Sequence, residues 1–202
     1  MTPEELKKLK KFLTSIRTVA VFLGSRETAD PGYTAAAAEL GRFLAENDLT
    51  LIYGGAGVGT MKALADSVLE AGGRVTGVFP AVLSSKILHP ALTEQISVST
   101  ISERKKVMLE KADCIVVLPG GIGTLDEFFS ALEEIKRARK PIGVLNVNGY
   151  YDHLESFWTH ANETGFISNA QRQAVTFHRK IDTLFYRMLG SFRQNNNEEK
   201  TT

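Results

Sequence analysis

The chain reads as an α/β protein built on a mainly parallel, doubly wound sheet with helices on both faces. Three observations lead there. Apolar runs of strand length alternate with helical patterns along most of the sequence. Those runs are apolar at nearly every position rather than at every second one, as expected of strands buried on both faces. Several of them end in glycine turns that open into helices, the junction where sheets of this kind bind ligands.

In order, Thr2-Pro3-Glu4-Glu5 reads as a helix start, with Leu6, Leu9, Leu13 and Ile16 along one face of an accessory helix. Thr18 to Leu23 is rich in β-branched and aromatic residues and feeds Gly24-Ser25, a first strand with its ligand loop. Asp30-Pro31 opens a helix to about Asn47. Leu49 to Tyr53 is a strand, Gly54 to Gly59 a second glycine turn, and Thr60 to Glu70 a helix closed by Gly72-Gly73. Arg74 to Phe79 is a strand stopped by Pro80. The stretch to about Gln95 reads as a loop with a short helix, broken by Pro90. Ile96 to Ser99 is a short strand, and Thr100-Ile101-Ser102-Glu103 has the capping-box spacing that opens a helix carrying Arg104, Lys105 and Lys106.

Cys114 to Leu118 is the next strand. It enters Leu118 to Glu127, LPGGIGTLDE, and a helical pattern from Phe128 onward. The glycines permit a sharp turn, and the first helical N–H groups, having no intrahelical partner, suit an anion. Strand Ile142 to Val147, a turn at Asn148-Gly149, the helix containing Trp158 and helical patterns near Ala170 and from Asp182 to Leu189 follow. Residues 1–193 are expected to form one domain and 194–202 a disordered polar tail.

A net charge of +1 over 202 residues gives no broad attraction to a nucleic-acid backbone or an anionic membrane, so a small anionic ligand in a local pocket fits better. The single cysteine, Cys114, lies in a strand run and packs as a small hydrophobe. No run approaches membrane-spanning length, residues 1–17 lack the features of a secretory signal, and the expected compartment is the cytoplasm.

Neither glycine turn is a Walker A loop, and GGAGVG at Gly54 to Gly59 is one residue short of the dinucleotide spacing. Each turn alone is equally explained by tight turning and close helix–sheet packing. Thr124 to Glu127 also has capping-box spacing, so Glu127 is either a helix cap or a reacting carboxylate. Arg104 and Lys105 are either a solvated face or part of a site.

Ser102 to Met108, SERKKVM, and Ala112 to Glu127, ADCIVVLPGGIGTLDE, resemble the cytokinin-activating phosphoribohydrolase family known as LONELY GUY, whose members often carry a lysine decarboxylase label. Gly24-Ser25, Tyr53 to Met61, Ala71 to Pro80 and Leu145 to Asp152 extend the likeness over roughly Val19 to Asp152. The resemblance implies a Rossmann-like homodimer that hydrolyses the N-glycosidic bond of a nucleoside 5′-monophosphate, cytokinin riboside 5′-monophosphate or AMP, without a cofactor or metal. It implies Arg104 and Glu127 as the catalytic pair, and Gly120, Gly121, Gly123 and Thr124 as the phosphate seat. Gly24, Ser25, Gly54, Gly55 and Lys105 are implied as further substrate-binding positions. The chain departs from the pattern at ISERK, where MHERK is frequent, and at Arg26 after the GS pair. A pyridoxal-phosphate decarboxylase is disfavoured, since no recognisable lysine and ring-partner set is present. The alternative kept open is a non-catalytic nucleotide carrier of the same fold.

Overall fold

The computed structural model describes residues 1–27, 30–82, 87–138 and 140–198. In chain order the elements are α1 (Pro3–Leu13), β1 (Thr18–Phe22), α2 (Pro31–Glu46), β2 (Thr50–Tyr53), α3 (Gly59–Glu70), β3 (Val75–Pro80), β4 (Glu94–Val98) and α4 (Ile101–Lys111). There follow β5 (Cys114–Val117), α5 (Ile122–Ala138), β6 (Ile142–Leu145), a 3-10 turn (Val147–Gly149), α6 (Asp152–Glu163), α7 (Asn169–Ala174), β7 (Val175–His178) and α8 (Ile181–Glu198). Seven strands form one sheet in the order β4-β3-β2-β1-β5-β6-β7, every neighbouring pair parallel.

Strand alternation sorts the core into two layers. Val19, Val21 and Leu23 join the layer completed by α1, α2, α3 and α8, with Phe12, Leu40, Leu64 and Phe185 among its members. Ala20 and Phe22 join the opposite layer, where Met108 of α4, Phe128 of α5 and Trp158 of α6 cover the sheet. A side chain such as Phe22 or Phe128 contributes roughly 2–3 kcal/mol through its burial.

Local chemistry fixes the element ends. The Thr2 side chain and Glu5 form a capping box on α1, Asp30 accepts from Gly32 N–H ahead of Pro31 at the start of α2, and Thr100 accepts from Glu103 N–H at α4. Asp113 accepts from the N–H groups of Arg17 and Thr18 at 2.7 and 2.9 Å, tying the entry of β1 to the start of β5.

Five differences from the sequence expectation matter. The seventh strand, β7, lies between two helical patterns and is short enough to be read as their connection. The sixth stops at Leu145, since Val147 to Gly149 turns as a 3-10 segment. The α5 helix begins at Ile122 rather than near Phe128, its first turn holding a glycine that obscures the helical pattern. Helix α8 continues to Glu198, into the stretch expected as tail. Between Ala81 and Thr93 the described residues form no helix; Leu88 instead bridges antiparallel to Ala56 beside the second glycine turn, and residues 83–86 lie outside the described chain.

Helices α2 and α3 approach closely at Gly41, where an added Cβ would lie 2.6 Å from the Leu64 carbonyl oxygen and 2.8 Å from Ser67 Cβ. Because one of those neighbours is backbone, Gly41→Ala is expected to cost about 2 kcal/mol by overpacking. Thermal unfolding should then show Tm lowered by roughly 4–8 °C; an unchanged Tm would mean the two helices separate without penalty.

Candidate active site

The strand order reverses at β1, which has β2 on one side and β5 on the other, and the loops leaving β1 and β5 abut there. Gly24 N–H donates to the Pro119 carbonyl at 3.1 Å, and an added Cβ on Gly120 would come within 2.6 Å of Gly24 N. Thr60 on α3 donates its hydroxyl to the Gly24 carbonyl. Gly59, at φ +54°, lets α3 begin directly under the β1 loop, where a Cβ would meet Ser25 O at 2.3 Å.

These loops frame a cleft of about 1000 Å³ at the carboxyl ends of the strands. Of the residues expected from the sequence, Gly24, Ser25, Gly54, Arg104, Gly120, Gly121, Gly123, Thr124 and Glu127 line it. Gly55 and Lys105 do not. Gly55, at φ +79°, turns the chain over Gly77 and Phe79 and accepts from His89 N–H. Lys105 reaches Asp126 at 2.9 Å and Ser130 at 2.9 Å, clamping α4 to α5. Neighbouring helical residues point about 100° apart, so Arg104 enters the cleft and Lys105 leaves it.

Glu127 sits on the buried face of α5 with Thr124, Phe128 and Ala131. It is well inside the helix, where it caps nothing. Its Oε1 lies 3.0 Å from an Arg104 guanidinium nitrogen, and the side chains are only 7% and 15% exposed. Arg104 in turn donates Nε–H to the Val78 carbonyl of β3 at 3.0 Å. Gly54 makes room for that guanidinium: a Cβ there would lie 2.1 Å from it. Burial pushes the Glu127 carboxyl up to about 6, with Arg104 holding it down against a larger rise.

Several lining residues were not legible as site residues. Tyr33 of α2 and Tyr150 after the 3-10 turn meet edge to face, 5.7 Å between ring centres, and both line the cleft. Met61, Ile87 and Ile101 add apolar side chains to the lining. Ile87 is held by its carbonyl to Gly57 N–H, and behind it buried His89 places Nε2 2.9 Å from Asp66 of α3. Arg26 and Arg104 are the cations among the described lining residues. No group of three or more His, Cys, Asp or Glu side chains able to hold a metal occurs among the described residues.

Chemically, the cleft has an anion-seeking rim at the α5 N-terminus, a buried carboxylate answered by a guanidinium, and several apolar lining side chains. A family model described as "Possible lysine decarboxylase" matches residues 61–188. The chain is 38% identical to the cytokinin riboside 5′-monophosphate phosphoribohydrolase of Rhodococcoides fascians, over 82% of this chain and 86% of that one. It is 39% identical to LOG5 of Arabidopsis thaliana, a protein of the same name, over 77% of this chain and 70% of that one. Among solved structures, the molybdenum cofactor binding protein of Rippkaea orientalis shares the fold at TM-score 0.66 and 22% identity, covering 88% of this chain and 97% of that one.

Burial of Glu127 gives stability a pH signature. The unfolded carboxyl titrates near its ordinary 4.5 and the folded one near 6, so the folded state holds the proton more tightly between them. The stability this group carries is therefore lost as pH rises through that window, on the order of 2 kcal/mol. Glu127→Gln, neutral throughout, should gain several degrees of Tm relative to the unsubstituted protein between pH 4.5 and 7. A Tm difference that stays constant across that range would rule out a raised carboxyl.

Proposed function

The chain belongs to the LONELY GUY family of cytokinin riboside 5′-monophosphate phosphoribohydrolases, and from that membership we propose that it hydrolyses the N-glycosidic bond of a nucleoside 5′-monophosphate, releasing the free base and ribose 5-phosphate. One observation carries the reading to these residues: the buried Arg104–Glu127 pair and the N-terminus of α5 open into the same cleft.

In this reading the phosphate sits against Gly120, Gly121, Gly123 and Thr124, where N–H groups and the helix dipole favour negative charge. Glu127 lies six residues beyond Gly121, about 9 Å along the helix axis, a reach suited to the ribose of a nucleotide anchored by its phosphate. As the bond from the ribosyl carbon to the base nitrogen breaks, its electron pair leaves with the base and positive charge develops on the sugar. The Glu127 carboxylate stabilises that charge and orients the water whose oxygen bonds to the sugar carbon, while the base takes up a proton. Arg104 keeps the carboxylate ionised and aimed. Phosphate contacts remote from the breaking bond hold the sugar in place.

The apolar side chains of Met61, Ile87 and Ile101 take the base. Among the described lining residues no Asn, Gln or Asp is available to read a base edge. The relatives named for cytokinin riboside 5′-monophosphate are what support an N6-alkylated adenine over AMP. Gly24, Ser25 and Gly54 border the substrate, with Gly55 and Lys105 supporting its walls from outside.

We take residues 1–193 as one domain, acting in the cytoplasm as a homodimer. Phe129 on α5, 42% exposed and outside the cleft lining, gives a second copy an apolar contact. No described helix is long and apolar enough to cross a membrane.

Chromatography of the products from N6-isopentenyladenosine monophosphate, AMP and other nucleoside monophosphates tests the reaction. Base and ribose 5-phosphate should appear in equal amounts. Glu127→Gln should lower kcat by at least ~100-fold and Arg104→Ala by at least ~10-fold, with folding retained. Because the ionised carboxylate acts, kcat/KM of the unsubstituted enzyme should fall about tenfold per pH unit below about 6. Nucleotide binding without base release would favour the carrier reading instead.

The glycines give a separate check on the phosphate seat. A Cβ at Gly121 meets no protein atom within 4 Å. Gly121→Ala should therefore lower Tm by no more than about 4 °C, the cost of alanine at a helix N-cap, while raising KM roughly tenfold; an unaltered KM would move the phosphate elsewhere.

A further inference from the structure

Four consecutive carbonyls in the loop between β5 and α5 are held by hydrogen bonds, two of them through tyrosines that no part of the proposed reaction uses. Leu118 O accepts from the Tyr151 hydroxyl at 2.8 Å, Pro119 O from Gly24 N–H at 3.1 Å, Gly120 O from the Tyr150 hydroxyl at 2.7 Å, and Gly121 O from Leu125 N–H at 3.1 Å. A loop with every carbonyl anchored has its peptide planes fixed. In a trans peptide the carbonyl and the following N–H point in opposite directions. The Tyr150 hydroxyl on Gly120 O therefore turns Gly121 N–H away from Tyr150.

We infer that Tyr150 is the positioning residue of the phosphate seat: its hydroxyl sets the Gly120–Gly121 peptide so that Gly121 N–H is presented to the phosphoryl oxygens. This rests on the phosphate lying at α5, as proposed above. Gly121 opens the helix, so its N–H has no intrahelical carbonyl, and the space beside its Cα is open. A hydrogen bond accepted by Gly120 O also polarises that peptide and makes the Gly121 N–H a better donor.

The tyrosine is itself built in from behind. Asn148 at φ 51° and Gly149 at φ 75° turn the chain into it. Buried Asn146 accepts from Tyr151 N–H at 2.7 Å and donates to Asp152 at 2.6 Å, which Arg179 also contacts at 3.2 Å. Asn148 donates to Asp30 at 2.9 Å, fastening the same turn to the start of α2. The hydroxyl is aimed by a scaffold of several bonds, so its removal leaves the ring where it is.

Tyr150→Phe is the test, since the ring keeps its edge contacts with Tyr33 and Tyr151 at 5.7 and 4.8 Å. Inhibition by ribose 5-phosphate and by N6-isopentenyladenine is measured on the variant and on the unsubstituted full chain, with kcat and KM for the nucleotide. The inhibition constant of ribose 5-phosphate should rise roughly five- to tenfold and KM with it. That of the free base, and kcat at saturation, should stay unchanged, a split that a general loosening of the site does not produce. An unchanged ribose 5-phosphate constant overturns the inference, as does equal weakening of both inhibitors. If ribose 5-phosphate does not inhibit the unsubstituted protein, the functional reading itself fails, and this inference with it.

Discussion

A carboxylate withdrawn from water has to be answered by a charge that cannot drift away, and the Arg104–Glu127 pair imposes that requirement on four elements at once. Glu127 is placed by the buried face of α5. Arg104 comes from the first turns of α4 and is held by the Val78 carbonyl of β3. The end of β2 must carry glycine at position 54, because a methyl group there would occupy the guanidinium's place. Removing either charge leaves its partner buried and unanswered, which costs far more than the pair contributes as a salt bridge. A fold seeking stability alone would fill this space with apolar side chains. The pair makes sense as a device for keeping one carboxylate poised at a raised but accessible pKa.

The topology explains why a cleft exists beside that pair. Chain crossings from β1 run one way to β2, β3 and β4 and the other way to β5, β6 and β7. Helices α2 and α3 consequently cover one face while α4, α5 and α6 cover the other. The helices that follow β1 and β5 lie on opposite faces of the sheet, and the crevice opens above the strand ends where the two loops meet. The Arg104–Glu127 pair borders that crevice, and the antiparallel bridge between Ala56 and Leu88 supports the wall beside the second glycine turn.

Much of this was legible in the sequence because it is local. Strand runs, glycine turns and caps depend on residues a few positions apart, whereas Arg104 and Glu127 were singled out only by the family resemblance of the motifs that hold them. What was not legible is long-range or directional. Tyr33 and Tyr150 are separated by most of the sheet in sequence and meet only through the fold. Gly54 and Gly55 look alike in a string, yet one yields to an arginine side chain and the other turns the backbone over β3. Lys105 reads like Arg104 until the helix turns it toward Asp126. The strand β7 carries a β-branched and aromatic signal, Val175-Thr176-Phe177, but too short a one to stand out between two helices.

The glycines of the central loop separate what folding requires from what a ligand requires. Gly24 and Gly120 face each other's backbones, and a Cβ on Gly120 would meet Thr124 as well, so packing alone demands glycine there. Gly121 and Gly123 meet nothing within 4 Å, and neither has a positive φ that only glycine tolerates. Gly123, inside the first turn of α5, gives up a fraction of a kcal/mol relative to alanine, whereas Gly121 stands at the N-cap, where glycine is preferred to alanine. No described neighbour of Gly123 requires that the Cβ be missing. Both residues line the cleft, and a ligand that approaches the Gly123 backbone closely enough for a methyl group to obstruct it would account for glycine there. A phosphoryl group bonded to main-chain N–H groups has that requirement, whereas a ligand held only by side chains does not.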